Sequence, residues 1–486
     1  MNIFWFKRDL RLRDHEPLTR ALDAGKPLLL VYFLEPSLVA DPHYDVRHWR
    51  FVYQSLLDLN RQLKSYGAQI LILQSEVVPA LEAIHRHHKI ETLFSHEETG
   101  LKITYDRDQA VARFCKKAGI DWQESQSNGV IRGLPNRDDW VQRWQQQMNA
   151  PQQNPDWSRY LLAELDPKVF WKFRGKPLPK SWAVQAGEFQ VGGEAAAQRT
   201  LKSFLIERAE FYLDSISKPL ESRRGCSRLS PYLAWGNLSV RQVYQATRTV
   251  QRTSHFQGQL RQFASRLRWH CHFIQKFESE DRMEFEHINQ GFDSMVFSEN
   301  EAHFLAWAEG RTGYPLVDAC VRCLTATGYV NFRMRAMLVS FLTHLLNQHW
   351  KRGAVHLAKL FTDWEPGIHY AQFQMQAGVT GTNTLRVYNP VKQSYDHDPD
   401  GIFIRDWVPE LRDVHPAYLH EPWKMPPLER EMTGFYPGEN YPAPILELQT
   451  AARAAKKRHD RQRATELAQT ENARILATHT VPGRLL

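Results

Sequence analysis

The residues best suited to chemistry gather in the segment GCSRLSPYLAWGNLS, residues 225–239. Ser230 stands where a helix N-cap belongs and Pro231 where the first helical residue belongs. The free backbone N–H groups of that helix start would then meet Ser227 and Arg228, which together make an anion site. An ordinary capped helix with an incidental arginine is written in the same residues, and the segment alone does not separate the two readings. A second pattern is the C-x-x-C spacing of Cys320 and Cys323. VDACVRCL reads as one helix face with no second ligand pair near it, so core packing is the reading and no metal centre is expected. The 15 tryptophans in a chain with 12% aromatic residues are a third signal. Such rings stack on planar ligands and bases as well as filling cores.

These residues need a scaffold, and 486 residues with 42% hydrophobic and 24% charged side chains supply enough for two or three domains with a large buried volume. Residues 1–130 alternate short apolar runs (NIFWF, PLLLVYFL, QILILQ, TLFS, IDWQE) with amphipathic stretches that stop at Gly67 and Gly119. That rhythm predicts a Rossmann-like α/β domain, a parallel sheet with helices on both faces. The turn after its first strand, KRDLRLRD, lacks G-x-G-x-x-G, so the dinucleotide fingerprint is missing where it belongs. Residues 131–200, rich in Pro, Gly, Gln and Trp, read as an interdomain connector with few periodic stretches. From 201 to 486 the periodicity is helical and predicts an all-α domain. The segment from about 446 reads as a charged, solvent-exposed helix with no assigned function.

Two further features bear on setting. Charges inside MNIFWFKRDLRLRD and the lack of any apolar run of about 18 residues predict a soluble, unexported chain with no membrane partner. Five scattered cysteines (Cys115, Cys226, Cys271, Cys320, Cys323) argue against a disulfide framework and for a reducing compartment, the cytoplasm. The net charge of +8 favours an anionic partner but is weak evidence on its own.

Four collinear blocks carry a resemblance. WFKRDLRLRDHEPL (5–18) is similar to the opening of photolyases and cryptochromes, and SRLSPYLAWGNLS resembles their FAD-phosphate loop. AWAEGRTGYPLVDACVRCLTATGYVNFRMRAMLVSFL (306–342) resembles their central helices, and YNPVKQSYDHDPDGIFIRDWVPELRDV (388–414) their C-terminal block. The resemblance implies an antenna domain at 1–130 and an FAD-binding helical domain at 201–486, with damaged DNA, single- or double-stranded, as partner. It implies that Ser227, Arg228, Leu229 and Ser230 hold the FAD pyrophosphate. Cys226 stands at a position that is often Thr, and Tyr212 precedes the loop as a flavin-contacting Tyr does. It also implies that Arg335 pairs with Asp363 beside the flavin ring, and that Glu365 takes the place of a second Asp. A second chromophore of folate or deazaflavin type is implied by SHEETGLKITYDRD (95–108), which resembles an antenna-site lining.

The resemblance also shows departures. His369 stands opposite flavin N5, where photolyases usually carry Asn, and an imidazole there can donate a proton. Trp307 and Trp350 match the outer and middle members of the family's electron-transfer chain, but the proximal place falls on Phe373. Phenylalanine is far harder to oxidise than tryptophan, which leaves Tyr370 and Trp364 as nearby donors. In the lesion cavity one alignment keeps Trp269 as the stacking Trp and puts Arg266 in the position of a Glu; a shifted one loses both. Phe332 falls where an Asn usually lies, with Asn331 just before it. The paired histidines of (6-4) enzymes are absent there, while Arg266, Arg268 and Arg333 would attract phosphate.

Two functions follow from these residues. The first is a blue-light-driven lyase that flips damaged pyrimidines into the cavity and splits them with an electron from reduced flavin, with Trp269, Arg266, Phe332 and His369 as its reacting-site residues. The second is a blue-light receptor in which a change at the flavin is read by a signalling partner.

Overall fold

The computed structural model describes residues 1–481. Its chain forms two compact units that interleave in sequence. One comprises 1–206, 228–281 and 362–368; the other comprises 207–227, 282–361 and 369 onward.

In the first unit, five strands form a parallel sheet: β1 (Asn2–Phe6), β2 (Leu28–Phe33), β3 (Ile70–Leu73), β4 (Thr92–His96) and β5 (Asp121–Ser125), in the order β3-β2-β1-β4-β5. Every residue of β1 and β2 is buried, as expected of strands covered on both faces. Phe4 lies opposite Leu30 on one side and Phe94 on the other. Ile3, Trp5, Val31, Phe33 and Leu93 build one core face. The chain leaves β1 toward β2 and β3 on one side and reaches β4 and β5 on the other, so the carboxyl ends of β1 and β4 flank the switch point where such sheets bind ligands. The helix Lys102–Ala118 ends at Gly119, whose φ of 70° is the left-handed conformation that closes a helix C-terminus.

The connector is more regular than its composition predicts. Trp140, Trp144 and Met148 recur every four residues and are buried on the helix Trp140–Asn149, and Leu162 forms a bridge with Leu28 beside the sheet. The 23-residue helix Gln257–Ser279 also belongs to this unit. It buries Leu260, Phe263, Ala264, Leu267, Cys271 and Ile274 at helical spacing.

The second unit is helical. Asp318, in the helix Pro315–Thr327, is fully buried and accepts hydrogen bonds from Thr312 N–H (2.8 Å), the Thr312 hydroxyl (2.7 Å), Gly313 N–H (3.1 Å) and the Tyr441 hydroxyl. Burial nevertheless lifts its carboxyl to about 6. Cys320 and Cys323 are buried on the same helix, and the Cys323 thiol donates to the Tyr329 carbonyl at 3.7 Å, in keeping with packing. The last segment folds as two helices, Leu448–Arg463 and Glu466–His479. They are docked rather than merely solvated: Arg458 donates to the His344 carbonyl (2.9 Å), and Gln462 to the Gly291 carbonyl and the Ser294 hydroxyl. Among the described residues no helix is long and apolar enough to cross a membrane.

His459 on that docked helix is 1% exposed, and neither ring nitrogen has a hydrogen-bond partner. Burial lowers its pKa from 6.5 to about 4. Below pH 6.5 the unfolded chain therefore binds a proton that the native imidazole refuses, and stability is lost as pH falls through that window. His459→Leu keeps the bulk and removes both orphaned polar atoms. It is expected to stabilise this unit by about 1–2 kcal/mol at pH 5 and by less at pH 8, in thermal or denaturant unfolding followed at both pH values. An equal effect at the two pH values would contradict the titration argument.

Candidate functional site

The segment 225–239 folds as an anion cradle, with one correction to its register. The helix runs Ser230–Ala234, and its N-cap is Leu229, whose side chain makes no cap hydrogen bond. Ser230 is therefore the first helical residue rather than the cap. Arg228, just before it, has a φ of 58°, a left-handed conformation that a non-glycine residue adopts at a cost of order 1–3 kcal/mol and that is typical of ligand-binding turns. Gln190 holds both ends of this residue: its Nε2 donates to the Arg228 carbonyl (2.9 Å) and its Oε1 accepts from the guanidinium (3.0 and 3.2 Å). A helix start next to a pinned arginine fits a pyrophosphate. Gly236 completes the turn. A Cβ there would collide with the Arg8 carbonyl, and its φ of 71° excludes most other residues.

In the second unit, Tyr212 and Cys226 are buried and Ser227 is half-buried. Arg208, which the sequence did not single out, ties this stretch together by donating to the carbonyls of Arg224 (3.0 Å), Cys226 and Ser227 (3.2 Å). No motif announces it, because its partners are backbone carbonyls that any residues could supply.

Arg8, at the end of β1, anchors the segment carrying Trp364 and Glu365. Its guanidinium donates to the carbonyls of Ala234 (3.0 Å) and Trp364 (2.5 Å), lies 3.5 Å from the Glu365 carboxylate, and sits 4.4 Å over the Trp235 ring. Burial pushes the Glu365 carboxyl up, and Arg8 opposes that rise. Trp364 is fully buried and stacks on His43 with ring centres 5.5 Å apart. Asp363 is buried in the same unit. Arg335 belongs to the other unit, where its Nε donates to the Val330 carbonyl (2.9 Å) and its guanidinium covers the Phe361 ring at 4.0 Å.

His369 is half-buried, with Nε2 2.8 Å from the Ala354 carbonyl. That contact fixes Nε2 as the protonated nitrogen of the neutral ring. Its ring centre lies 5.8 Å from Tyr370 and 5.4 Å from Phe373. Tyr370 in turn meets Trp350 at 6.1 Å. Phe373 and Trp307 both border Gly353, close to where a Cβ on that glycine would lie (3.2 and 3.4 Å). Thus two aromatic branches leave His369, one through Tyr370 to Trp350 and one through Phe373 to Trp307. Trp307 and Trp350 are both fully buried, so the matched outer tryptophan does not itself reach solvent. Trp364 lies in the first unit.

On the helix Gln257–Ser279, Arg266, Trp269 and Phe273 fall on one face. Trp269 is half-buried and stacks on Phe273 (5.6 Å, 28°), while Arg266 is exposed. Phe332 is 52% exposed at the start of the helix Phe332–Ser340, in the other unit. Asn331 is that helix's N-cap, accepting from Met334 N–H, so its side-chain oxygen is committed to structure.

The carboxyl ends of β1 and β4 open into a small cleft lined by Lys7, Arg8, Asp9, the stretch His96–Thr99, His270 and Glu365 among others. The stretch resembling an antenna lining thus reaches a cleft whose walls carry charges rather than the apolar faces usual around planar ligands.

Comparison with known proteins agrees with these features. A family model described as DNA photolyase matches residues 2–133, and one described as the FAD binding domain of DNA photolyase matches residues 263–461. A cryptochrome DASH from Gloeobacter violaceus is 28% identical, over 95% of this chain and 97% of its own length. A deoxyribodipyrimidine photo-lyase from Alkalihalophilus pseudofirmus is 26% identical, over 91% and 94%. The crystal structure of a Synechocystis cryptochrome superposes with a TM-score of 0.83 at 24% identity, covering 94% of this chain and 98% of that one. With a parallel-sheet domain and a helical FAD-binding domain matched in the same order, the chain belongs to the photolyase/cryptochrome family.

Proposed function

We propose that this protein repairs pyrimidine dimers in DNA under blue light. The observation that carries the reading is the helix face on which Trp269, backed by Phe273, offers a ring for a flipped base while Arg266 stands exposed to meet phosphate. Bound FAD supplies the photoexcited electron donor. The chain's own residues do the rest. The start of Ser230–Ala234 and the pinned Arg228 hold the pyrophosphate. His369 presents an imidazole oriented by the Ala354 carbonyl.

The test is illumination of the chemically reduced holoprotein with oligonucleotides carrying either a cyclobutane dimer or a (6-4) lesion, with products separated by chromatography. Light-dependent return of intact pyrimidines is expected. Trp269→Ala should weaken binding to the dimer-containing strand by about tenfold or more, the worth of one base–aromatic stack. No repair of either lesion by fully reduced protein overturns the proposal.

The second reading, a blue-light receptor with little repair activity, is favoured by the exposed Phe332, which offers no hydrogen bond to a lesion at a place where the family resemblance expects an Asn.

A further inference from the structure

We propose that Asp9, His15 and His96 are the three protein ligands of a divalent cation of the zinc class. The three residues come from separate segments that the sheet brings together: Asp9 from the loop after β1, His15 from the residue before the helix Glu16–Asp23, and His96 from the end of β4. One oxygen, Asp9 Oδ2, faces both rings, at 3.2 Å from His15 Nε2 and 2.7 Å from His96 Nδ1, and the Asp9 carbonyl lies 3.2 Å from the same His15 nitrogen, so an ion would displace the protons that these contacts now share. The three donor atoms all lie within 4.8 Å of one another. Tetrahedral zinc with bonds of about 2.0–2.1 Å places its ligand atoms about 3.3 Å apart, so small ring rotations suffice to close this set on an ion.

The surroundings suit a cation. All three side chains are buried. The other carboxylate oxygen, Oδ1, accepts from Lys7 N–H at 2.8 Å, which orients Oδ2 toward the rings. Asp9 and His96 also line the cleft, which gives an ion an entry path and leaves room for a water in the fourth position. Of the charged cleft residues, Asp9, Glu97, Glu98 and Glu365 outnumber Lys7 and Arg8. The buried Arg11 and Arg241 face three buried carboxylates, Asp9, Asp14 and Glu194, with Arg241 holding the Asp14 carboxylate at 2.6 Å. Two nitrogens and one carboxylate, with no thiolate, select zinc or a neighbouring first-row ion.

The test uses the full-length flavin-loaded protein, stripped with a chelator and titrated with Zn²⁺ by calorimetry and with Co²⁺ by visible absorption. Binding of one ion per chain is expected, with ligand-field bands showing nitrogen and oxygen donors. His96→Gln and His15→Gln should each weaken binding by about 100-fold or more. Each variant's flavin content and thermal midpoint serve as folding controls, and Zn²⁺ should raise the midpoint of the parent protein and of neither variant. Absence of stoichiometric binding in the parent protein overturns the proposal, as does affinity unchanged in either histidine variant that still carries flavin.

Discussion

Arg107→Met is expected to cost the sheet-containing unit about 3–5 kcal/mol at pH 8, because it strands carboxylates that have no other cation within reach. Arg107 Nη1 donates to Glu35 (2.9 Å), Nη2 to Glu98 (2.7 Å) and Nε to Asp108 (2.9 Å), and the guanidinium stands 4.9 Å over the Trp5 ring. The four charged side chains are 3–12% exposed. Asp108 keeps a second cation in Lys7 at 3.0 Å, whereas no other ion pair reaches Glu35 or Glu98 among the described residues. Even with Arg107 in place, burial lifts Glu35 to about 7.

In the variant the Glu35 carboxyl rises further, so the native state holds a proton that the unfolded chain has released above about 4.5. The defect is therefore largest at pH 8 and shrinks as pH falls toward 6, where Glu35 protonates. Arg107→Lys keeps a charge but loses the planar fork that reaches three partners, and should fall between parent and Met variant. Thermal unfolding at pH 6 and pH 8 decides the matter. A Met variant within about 1 kcal/mol of the parent at pH 8 would show that the cluster is solvated in solution.

That cluster also marks where sequence reading stops. The strands were legible because β1 and β2 are buried on both faces and so read as unbroken apolar runs. Helix ends at Gly67 and Gly119 were legible because left-handed backbone selects glycine. The start at Ser230 is misplaced by one residue, since a serine at the first helical position next to a proline looks like a cap in sequence, whereas the cap is Leu229. The connector's helix was hidden among Pro, Gly and Gln, although Trp140, Trp144 and Met148 carry its period. Asp9, His15 and His96 could not be paired from sequence, because parallel strand order alone brings their segments together. Arg208 and Gln190 were invisible for a related reason: each acts on backbone atoms of the phosphate turn, which leave no imprint on residue type. What the family resemblance added was the assignment of roles to residues whose spacing carries no message, such as Asp363 and Arg335.

Phe373→Trp is expected to speed blue-light reduction of the bound flavin by about tenfold or more, and Tyr370→Phe to slow it by a similar factor, each tenfold corresponding to about 1.4 kcal/mol of barrier. The two variants separate the two aromatic branches that leave His369. Phe373 is packed against Gly353 beside Trp307, so a tryptophan there would hand the oxidising equivalent directly to Trp307, which holds its indole N–H on the Leu338 carbonyl at 3.1 Å. In the present chain that branch begins with a ring too hard to oxidise. Oxidation is then expected to pass through Tyr370, whose ring lies 5.8 Å from His369 and 6.1 Å from Trp350. Trp350 is the next ring on that branch and is fully buried.

The larger indole at position 373 crowds Gly353 and its neighbour Leu342, and overpacking of this kind costs about 1–3 kcal/mol. Flavin content and thermal midpoint must therefore be measured beside the rate. A photoreduction rate unchanged in both variants, with flavin retained, would mean that these aromatics serve only as core and that electrons reach the flavin from outside the chain. A fast Phe373→Trp variant with an unaffected Tyr370→Phe variant would assign the native path away from Tyr370 while confirming that position 373 is the gap in the tryptophan branch.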